Sequence, residues 1–504
     1  MWGSPYFFHP DERNIVYSIL QLSFPNNLNP HFFAYGSLPI YGIYFTGLFI
    51  VFLTHLKFDF SFAIFLLRIY SATISLLIIP SLYFIGSAIF NKKVGIFSAI
   101  LAALGTGFIQ FAHFGTFEMW STFFSLWVFY FSVKLKDNRS FKNIIFSGII
   151  MGLLLSIKVS NLVLFIFPVL GIFLAYIVSK KIKLSKLFLF LFLYTFFAAL
   201  VYFLFNPFVI LDFKDFINSM NYESSVVVGS LHVFYTGEFY NTTPILYQLV
   251  EIFPFLINPF VLSLFIISFF VILFKGIKSV SYNFLILISF FLILFLSEAF
   301  FFAKWTRYMV PTIPFIYLIT SLWISSFHKN ISNYSFAVIT IISLIFTFSF
   351  FKTVYINEDT RILAENWATN NLKNSSLIVS EPYDLGILPF NSTFPNNIQP
   401  PLYDIDNNLE ADLTSLKDFN NSSVVILTSK RILHSRIINK KNFPRSYILY
   451  SKLLSGELGF RKVYQTPCDI FCKITYLGDP EFNVEETVNV FDRPTVWIFS
   501  KNNL

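Results

Sequence analysis

The chain has 504 residues, of which 55% are hydrophobic and 13% are charged, and its mean hydropathy is +0.65. Soluble domains carry about 25% charged residues, so this composition excludes a water-soluble globule and indicates a polytopic membrane protein. The formal net charge of +8 does not indicate nucleic acid binding, because the lysines lie in short loops between apolar blocks, where they orient spans.

The N-terminal segment permits two topologies. The apolar block Leu38–Leu56 precedes a predicted span at Ile64–Phe90. If the block crosses the bilayer, the residues before it are cytoplasmic, and if it lies along the outer surface, they are external. Hydropathy alone does not decide between these two arrangements.

Candidate spans then follow one another almost without interruption as far as Phe351. The positive-inside rule places the basic clusters between them in the cytoplasm. These clusters are Lys92–Lys93, Lys134–Lys142, Lys180–Lys186, Lys275 with Lys278, and Lys329. Because both ends of each interval are cytoplasmic, each interval crosses the membrane an even number of times, and its middle lies on the outer face.

This parity argument predicts four pairs of spans, each with a polar tip or loop on the outer face. The tips and loops are His113–Glu118, Ser156–Asn161, Asp212–Gln248 and Phe302–Arg307. A last span at Ile331–Phe351 exits outward, which makes everything after Lys352 an external domain.

The C-terminal part has the composition of a soluble α/β domain, with frequent Asn, Asp, Ser and Pro and only short apolar runs. Helical spacing predicts a helix at Asp359–Asn371, and buried strands are predicted at Ser376–Ser380, Ser422–Thr428 and Pro494–Phe499. The only two cysteines, Cys468 and Cys472, exclude a disulfide framework and a four-thiolate zinc site and permit one local bridge.

Several cations are expected near the outer membrane surface, where an unpaired charge costs about 3 kcal/mol by insertion scales. They are Arg68, Lys158, Lys304 and Arg307. Lys158 by itself could equally extend toward the lipid headgroups. Four cations on one face suggest a bound anion, for which a lipid phosphate is the natural candidate.

Acids and histidines are predicted on the same face. They are Asp11, Glu12, Glu118, Glu223, His9, His113 and His232. Pro10 followed by two acids is also an ordinary helix start, and Glu118 also suits a capping role at its hairpin tip. No spacing among the histidines matches a metal motif, which favours structural roles for them over metal binding.

Taken together, several segments resemble the GT-C glycosyltransferases, and among them the branch of protein O-mannosyltransferases and lipid A aminoarabinose transferases. The segments are His9–Glu12, Asn29–Tyr41, Leu67–Ala72, His113–Glu118, Lys158, Asn206–Phe208 and Arg307–Pro311. The resemblance implies that the first acidic loop is external, that Leu38–Leu56 is a surface helix, and that a first span precedes the loop. This sequence lacks that first span, which suggests a late start codon or a truncated chain.

The implied fold is a polytopic α-helical membrane protein of GT-C type, with about ten spans plus outer surface helices and a C-terminal external α/β domain. Residues 1–63 would form an external catalytic loop with surface helices, residues 64–352 the transmembrane domain, and residues 353–504 the external soluble domain. The implied location is the cell membrane, with the active site on the non-cytoplasmic face.

The implied activity is transfer of a sugar from a polyprenyl-phosphate carrier to an acceptor, with inversion. Asp11 would be the general base, with Glu12 as its substitute and Glu118 as a supporting carboxylate. The resemblance assigns the donor phosphate to Arg68, Lys158, Lys304 and Arg307. It assigns substrate contacts to His9, Tyr35, His113, Glu223, His232 and Tyr308.

The resemblance leaves open the sugar, a divalent metal between Asp11 and Glu118, and an acceptor that is a protein, a lipid or a glycopolymer. A transporter or flippase of a lipid-linked anion is the alternative function, since it would also need cations at the membrane. A structural anchor for the C-terminal domain is a third reading, although it would not require charged hairpin tips.

Overall fold

The structure is a computed structural model. It describes residues 3, 6–138, 140–179, 183–276, 282–373, 375–382, 390, 393–478, 480–481 and 484–501. Parts of the predicted basic clusters, at residues 139, 180–182 and 278, lie outside the described residues.

The chain before residue 357 is mostly helical, as expected where lipid cannot pair with backbone groups. Its first helices are α1 (Pro10–Leu20), α2 (Ser37–Thr54), α3 (Phe60–Ile89), α4 (Lys92–Ala103), α5 (Thr106–His113), α6 (Glu118–Asp137), α7 (Phe141–Leu155), α8 (Ile166–Ser179) and α9 (Leu184–Phe205). Short polar side chains begin three of them. Asp59, Asn91 and Ser140 accept hydrogen bonds from the backbone N–H groups of Phe62, Val94 and Asn143.

A second group of helices follows α9. They are α10 (Phe208–Leu211), α11 (Phe213–Val228), α12 (Phe253–Ile257), α13 (Pro259–Gly276), α14 (Tyr282–Ala299), α15 (Thr306–Met309), α16 (Ile313–Ser325) and α17 (Lys329–Phe351). Turns of 3₁₀ or π geometry occur at Val159–Phe165, Phe234–Phe239, Gln248–Ile252, Val310–Thr312 and Lys352–Ile356.

Seven helical segments among the described residues are long and apolar enough to cross a membrane, and up to nine if each of two bent pairs is one span. The bent pairs are α4 with α5, at 55°, and Gln248–Ile257 with Pro259–Phe274, at 116°. The prediction of a polytopic helical membrane protein is therefore confirmed. The described spans number seven to nine where the sequence predicted about ten.

The helix α2 begins beside the tip between α7 and the following 3₁₀ turn. Gly36 N–H donates to the carbonyl of Ile157 at 2.8 Å, and Ser37 N–H donates to Asn206 Oδ1 at 2.8 Å. A Cβ atom at Gly36 would lie 2.1 Å from the Ser156 carbonyl oxygen, so this approach requires glycine. By length and composition α2 could also span the membrane, and its surface position stays a prediction.

The C-terminal part folds around a five-stranded mixed sheet with strand order β2-β1-β3-β5-β4. The strands are β1 (Ile378–Ser380), β2 (Asn397–Ile398), β3 (Val424–Thr428), β4 (Arg461–Gln465) and β5 (Val496–Ser500). β1 pairs in parallel with β2 and β3, whereas β5 runs antiparallel to β3 and β4. The helices are α18 (Thr360–Asn371), α19 (Leu409–Asn421), α20 (Ser435–Ile438), α21 (Pro444–Ser455), α22 (Ile470–Thr475) and α23 (Glu486–Asn489).

The α/β prediction for this part is confirmed, with the three predicted strands at β1, β3 and β5 and the predicted helix at α18. The strands β3 and β5 are buried along their whole length because other strands flank both and apolar clusters cover the sheet. Sequence analysis missed β2, which has two residues, and β4, whose residues are half-buried or exposed. Cys468 and Cys472 form the permitted local disulfide.

The C-terminal part is joined to the membrane helices by buried polar contacts. The Gln110 side chain on α5 donates to the carbonyl oxygens of Thr487 and Val488 and to Asp492 Oδ2, at 2.8 to 3.1 Å. The Thr306 backbone N–H donates to Glu485 Oε2 at 3.2 Å. These contacts hold α23 and the residues after it against the ends of α5 and α15.

Candidate active site

A cavity of about 400 Å³ lies where the N-terminal helix, the tips of several membrane helices and the C-terminal part meet. We call it the main cavity. The predicted site residues that line it are His9, Asp11, Tyr35, Glu118, Lys158, Glu223, Arg307 and Tyr308. A narrow recess of about 20 Å³ shares Tyr35, Glu118, Lys158, Arg307 and Tyr308 with the main cavity and adds Glu298 of α14. Residues separated by up to three hundred positions in sequence therefore share one site.

Asp11 and Arg307 form an ion pair at the main cavity. Asp11 lies in the first turn of α1, where the helix dipole favours an acid. Arg307 Nη1 donates to Asp11 Oδ2, and its guanidinium carbon lies 4.7 Å from the centre of the Trp305 ring. Burial raises the pKa of Asp11, but the Arg307 guanidinium, with help from Arg431, outweighs that effect and holds the pKa below its usual value. Asp11 is therefore ionised at neutral pH.

Glu118 faces Tyr35 across the same cavity. The Tyr35 hydroxyl donates to Glu118 Oε1 at 3.4 Å, while Oε2 is buried and has no hydrogen-bond partner among the residues described. Glu118 begins α6, whose N-terminus has no side-chain capping bond. A buried carboxylate oxygen without a partner is costly. Its position therefore suits a hydroxyl group of a substrate better than a purely capping role.

Lys158 turns toward the cavity from the tip between α7 and the 3₁₀ turn. Its Nζ lies 4.4 Å from the centre of the Tyr308 ring, and the side chain lines both the main cavity and the recess. A lysine that extended to the lipid headgroups would leave the cavity instead. The arrangement therefore favours the ligand-binding interpretation of Lys158.

His9 and Glu223 also line the main cavity. The His9 ring lies 4.6 Å from the Phe114 ring and 4.4 Å from the Phe491 ring, and its Nδ1 lacks a hydrogen-bond partner within the described part of the chain. Burial lowers the pKa of His9, so the imidazole is neutral at pH 7, and burial raises the pKa of Glu223. Both residues present polar atoms to the main cavity.

Glu12 and Arg68 lie beside the main cavity but do not line it. Arg68 donates to both Glu12 carboxylate oxygens, at 2.8 and 2.6 Å, and Gly115 N–H donates to Glu12 Oε1 at 2.5 Å. Glu12 is fully buried. The pair joins α1, α3 and the tip before α6, which indicates a role in holding Asp11 and Glu118 in position.

We expect Glu12→Ala to lower the free energy of unfolding by about 3–5 kcal/mol, because it leaves the buried Arg68 guanidinium without its partner. Thermal unfolding of the purified protein in detergent measures the effect. The matched control is Asp137→Ala, since Asp137 lies 4.0 Å from Lys136 Nζ and its side chain is 72% exposed. Equal melting temperatures for the Glu12 variant and the wild type would contradict this structural role.

Three other predicted residues lie away from both the main cavity and the recess. Lys304 is buried and donates to the Phe302 carbonyl at 3.1 Å, and burial lowers its pKa. His113 contacts the C-terminal part, with Nε2 2.9 Å from Asp492 Oδ1 and Nδ1 hydrogen-bonded with the Tyr355 hydroxyl. His232 is exposed, and its ring packs against those of Tyr240 and Phe302 at 5.1 and 5.0 Å.

A divalent metal between Asp11 and Glu118 does not fit this arrangement, because the Arg307 cation already pairs with Asp11. Elsewhere in the described chain, His31, Asp212 and Asp215 present ligand atoms within 4.8 Å of one another. Asn29 Nδ2 donates to Asp212 Oδ2 at 2.7 Å, and none of these residues lines the main cavity.

Sequence analysis missed the contribution of the C-terminal part to the main cavity. Arg431, from the π turn that follows β3, and Glu486, which begins α23, both line it. Their side chains lie 3.7 Å apart, measured from Arg431 Nε to Glu486 Oε2. No local motif marks either residue, because both lie in a predicted soluble domain more than a hundred positions after the last resembling segment.

Residues 45–209 match the family model described as dolichyl-phosphate-mannose-protein mannosyltransferase. No curated protein matches the chain.

Among solved structures, the oligosaccharyltransferase of Archaeoglobus fulgidus, tethered to an acceptor peptide with the NVT sequon, is 12% identical. It aligns with a TM-score of 0.47 over 97% of this chain and 84% of its own. ArnT from Cupriavidus metallidurans, bound to undecaprenyl phosphate, is 11% identical, with a TM-score of 0.48 over 98% of this chain and 94% of its own. Identities this low do not transfer residue roles. The family match confirms the resemblance to the GT-C glycosyltransferases over residues 45–209, the segment that carries Arg68, Glu118 and Lys158.

Proposed function

We propose that the chain is an inverting glycosyltransferase that moves a sugar from a polyprenyl-phosphate carrier to an acceptor hydroxyl on the outer face of the membrane. The observation that carries the proposal is the meeting of Asp11, Glu118, Lys158 and Arg307 around one cavity. One ionised carboxylate and two cations are what this displacement needs. The description of the matched family, with its dolichyl-phosphate-mannose donor, supports a lipid-phosphate sugar.

In this mechanism Lys158 and Arg307 bind the phosphate of the donor. Its negative charge grows as the bond between the anomeric carbon and the phosphate oxygen breaks, so both cations stabilise the transition state more than the ground state. Tyr308 lies beside both cations, with its ring 4.4 Å from Lys158 Nζ and 5.8 Å from the Arg307 guanidinium carbon. These contacts keep the two charges facing the cavity before the donor arrives.

Donor binding would also release the base. Arg307 pairs with Asp11 and weakens it as a base by lowering its pKa. A donor phosphate competes for the guanidinium, so Asp11 becomes more basic at the moment when an acceptor hydroxyl can use it. Asp11 then accepts the hydroxyl proton while the acceptor oxygen attacks the anomeric carbon from the face opposite the phosphate.

Glu118 and Tyr35 are proposed to orient the acceptor. The buried Glu118 oxygen can accept a hydrogen bond from a polar hydrogen of the acceptor, and Tyr35 fixes the other oxygen. Trp305 and Tyr235 add aromatic faces to the cavity wall, which suits the apolar faces of sugar rings. The alternative, transport of a lipid-linked anion, would require the charges near the membrane midplane. The parity argument instead predicts that the tips carrying Glu118, Lys158 and Arg307 lie on the outer face.

The proposed sidedness is tested by cysteine labelling in intact cells. We expect a membrane-impermeant maleimide to label Ser230→Cys and Lys441→Cys, because the parity argument places α11 and the C-terminal part outside. Both positions are exposed, as are the two control positions Asp137 and Lys183, so burial does not limit the labelling reaction. Asp137→Cys and Lys183→Cys, from the predicted cytoplasmic loops, should react only after permeabilisation. The reverse pattern would overturn the topology and the proposed outer location of the site.

A further inference from the structure

The C-terminal part presents a buried cation to the main cavity that the proposed chemistry does not use. The Arg431 side chain is 8% exposed, and its Nε and Nη1 have no hydrogen-bond partner among the described residues. The distance of 3.7 Å to Glu486 is longer than a hydrogen bond. Arg361, in contrast, donates to both Asp359 carboxylate oxygens at 2.8 and 2.6 Å.

A buried guanidinium whose N–H groups lack acceptors is unfavourable unless a ligand accepts their hydrogen bonds and balances the charge. Its planar fork matches the two oxygens of a carboxylate or a phosphate. Glu486 compensates the charge only in part, because burial raises the pKa of Glu486 to about 7, although Arg431 acts in the opposite direction. A bound oxyanion would therefore satisfy donors that the described protein groups leave open.

The position of Arg431 distinguishes the two substrates. Lys158 and Arg307 line both the recess and the main cavity, whereas Arg431 and Asp11 line only the main cavity. In an inverting displacement the leaving phosphate and the attacking hydroxyl are on opposite faces of the sugar. The base must lie on the acceptor's face, and Arg431 is close enough to Asp11 for its charge to act on that carboxylate.

We infer that Arg431 binds an oxyanion of the acceptor, so that the acceptor carries a phosphate or a carboxylate group near the hydroxyl that receives the sugar. This inference rests on the proposed function for the direction of transfer. Phe234 and Tyr222 also line the main cavity, and Phe234 packs on Tyr403 of the C-terminal part at 4.3 Å between ring centres. The acceptor site is thus built jointly by the membrane helices and the C-terminal part.

The test uses the full chain in lipid nanodiscs, first saturated with undecaprenyl phosphate to fill the donor site. Isothermal titration calorimetry then measures the binding of phenyl phosphate, of benzoate and of phenol to this saturated protein. We expect one equivalent of phenyl phosphate or benzoate to bind the saturated wild type, and phenol to bind at least tenfold more weakly. The tighter of the two anions identifies the acceptor group as a phosphate or a carboxylate.

The variants Arg431→Ala and Arg431→Gln should weaken anion binding at least tenfold and leave the affinity for undecaprenyl phosphate unchanged. Arg445→Ala is the matched control, since the Arg445 side chain is 42% exposed and lies 3.8 Å from Asp412. Equal anion affinities in wild type and the Arg431 variants would overturn the inference. It would also be overturned if the saturated wild type bound no second anion, a result that needs no variant.

Two further outcomes separate this inference from the proposed function. If the Arg431 variants weakened the binding of undecaprenyl phosphate as much as Lys158→Ala does, Arg431 would belong to the donor site. The inference would then be wrong, whereas the proposed function would stand. If undecaprenyl phosphate did not bind the wild type, the proposed donor would be wrong. Phenyl phosphate binding that depended on Arg431 would still support the anion site.

Discussion

Asp11→Asn should lower kcat by a factor of about 10² to 10⁴, the contribution typical of a positioned general base. Asparagine keeps the size of the side chain but cannot accept the hydroxyl proton. Affinity for the donor should be retained or should rise, because Arg307 loses the carboxylate that competes with the donor phosphate. The measurement is single-turnover transfer from a radiolabelled polyprenyl-phosphate sugar, together with equilibrium binding of undecaprenyl phosphate.

Two matched variants make the Asp11 result specific. Glu118→Gln should be the next most damaging carboxylate change, because Glu118 contacts the substrate without taking the proton in this mechanism. Asp215→Asn, outside the main cavity, should behave as the wild type. If Asp11→Asn retained full turnover, another carboxylate would be the base, and Glu118 and Glu223, which also line the main cavity, would be the next candidates.

Lys158→Ala should weaken undecaprenyl phosphate binding by about 10- to 100-fold, because a hydrogen bond to a charged group contributes about 1.5–3 kcal/mol. The rate of transfer should fall as well, since the phosphate charge increases as the sugar departs. Binding is measured by titration in nanodiscs, and transfer is measured at saturating donor.

The control for Lys158 is Lys183→Ala, an exposed lysine in a loop predicted to be cytoplasmic. Its affinity and rate should equal those of the wild type. A Lys158 that only extended to the headgroups would give the same result as this control. Equal donor affinity and equal rate in Lys158→Ala would therefore exclude the phosphate-binding role, and Arg307 alone would remain for the donor.

Much of the helix order could be predicted from the sequence because hydropathy is a local property, whereas the sidedness deduced from loop charge stays a prediction. The tips at His113–Glu118 and Ser156–Asn161 fall between helices as predicted, and the tip at Phe302–Arg307 lies between α14 and α16. β3 and β5 could be predicted because a strand buried on both faces is apolar at successive residues. β4 could not, since its partly exposed residues are largely polar.

The sequence by itself determined that the protein is a helical membrane protein with an α/β C-terminal part. It also placed Asp11, Glu118, Lys158 and Arg307 within a larger set of candidate site residues. Only the tertiary structure decided how neighbours in sequence divide their roles. Asp11 and Glu12 are adjacent, yet successive residues on a helix point about 100° apart, so one lines the main cavity and the other pairs with Arg68.

Tertiary structure also decided which distant residues join the site. Arg431 reaches the main cavity because the segment after β3 packs against the 3₁₀ turn at Phe234–Phe239. His113 lies outside the cavity, with its ring held by Asp492. Neither contact leaves a signal in the chain around those residues. Hydropathy and spacing predict which face of the molecule a residue lies on. Which other residue it contacts there depends on how segments hundreds of residues apart pack together.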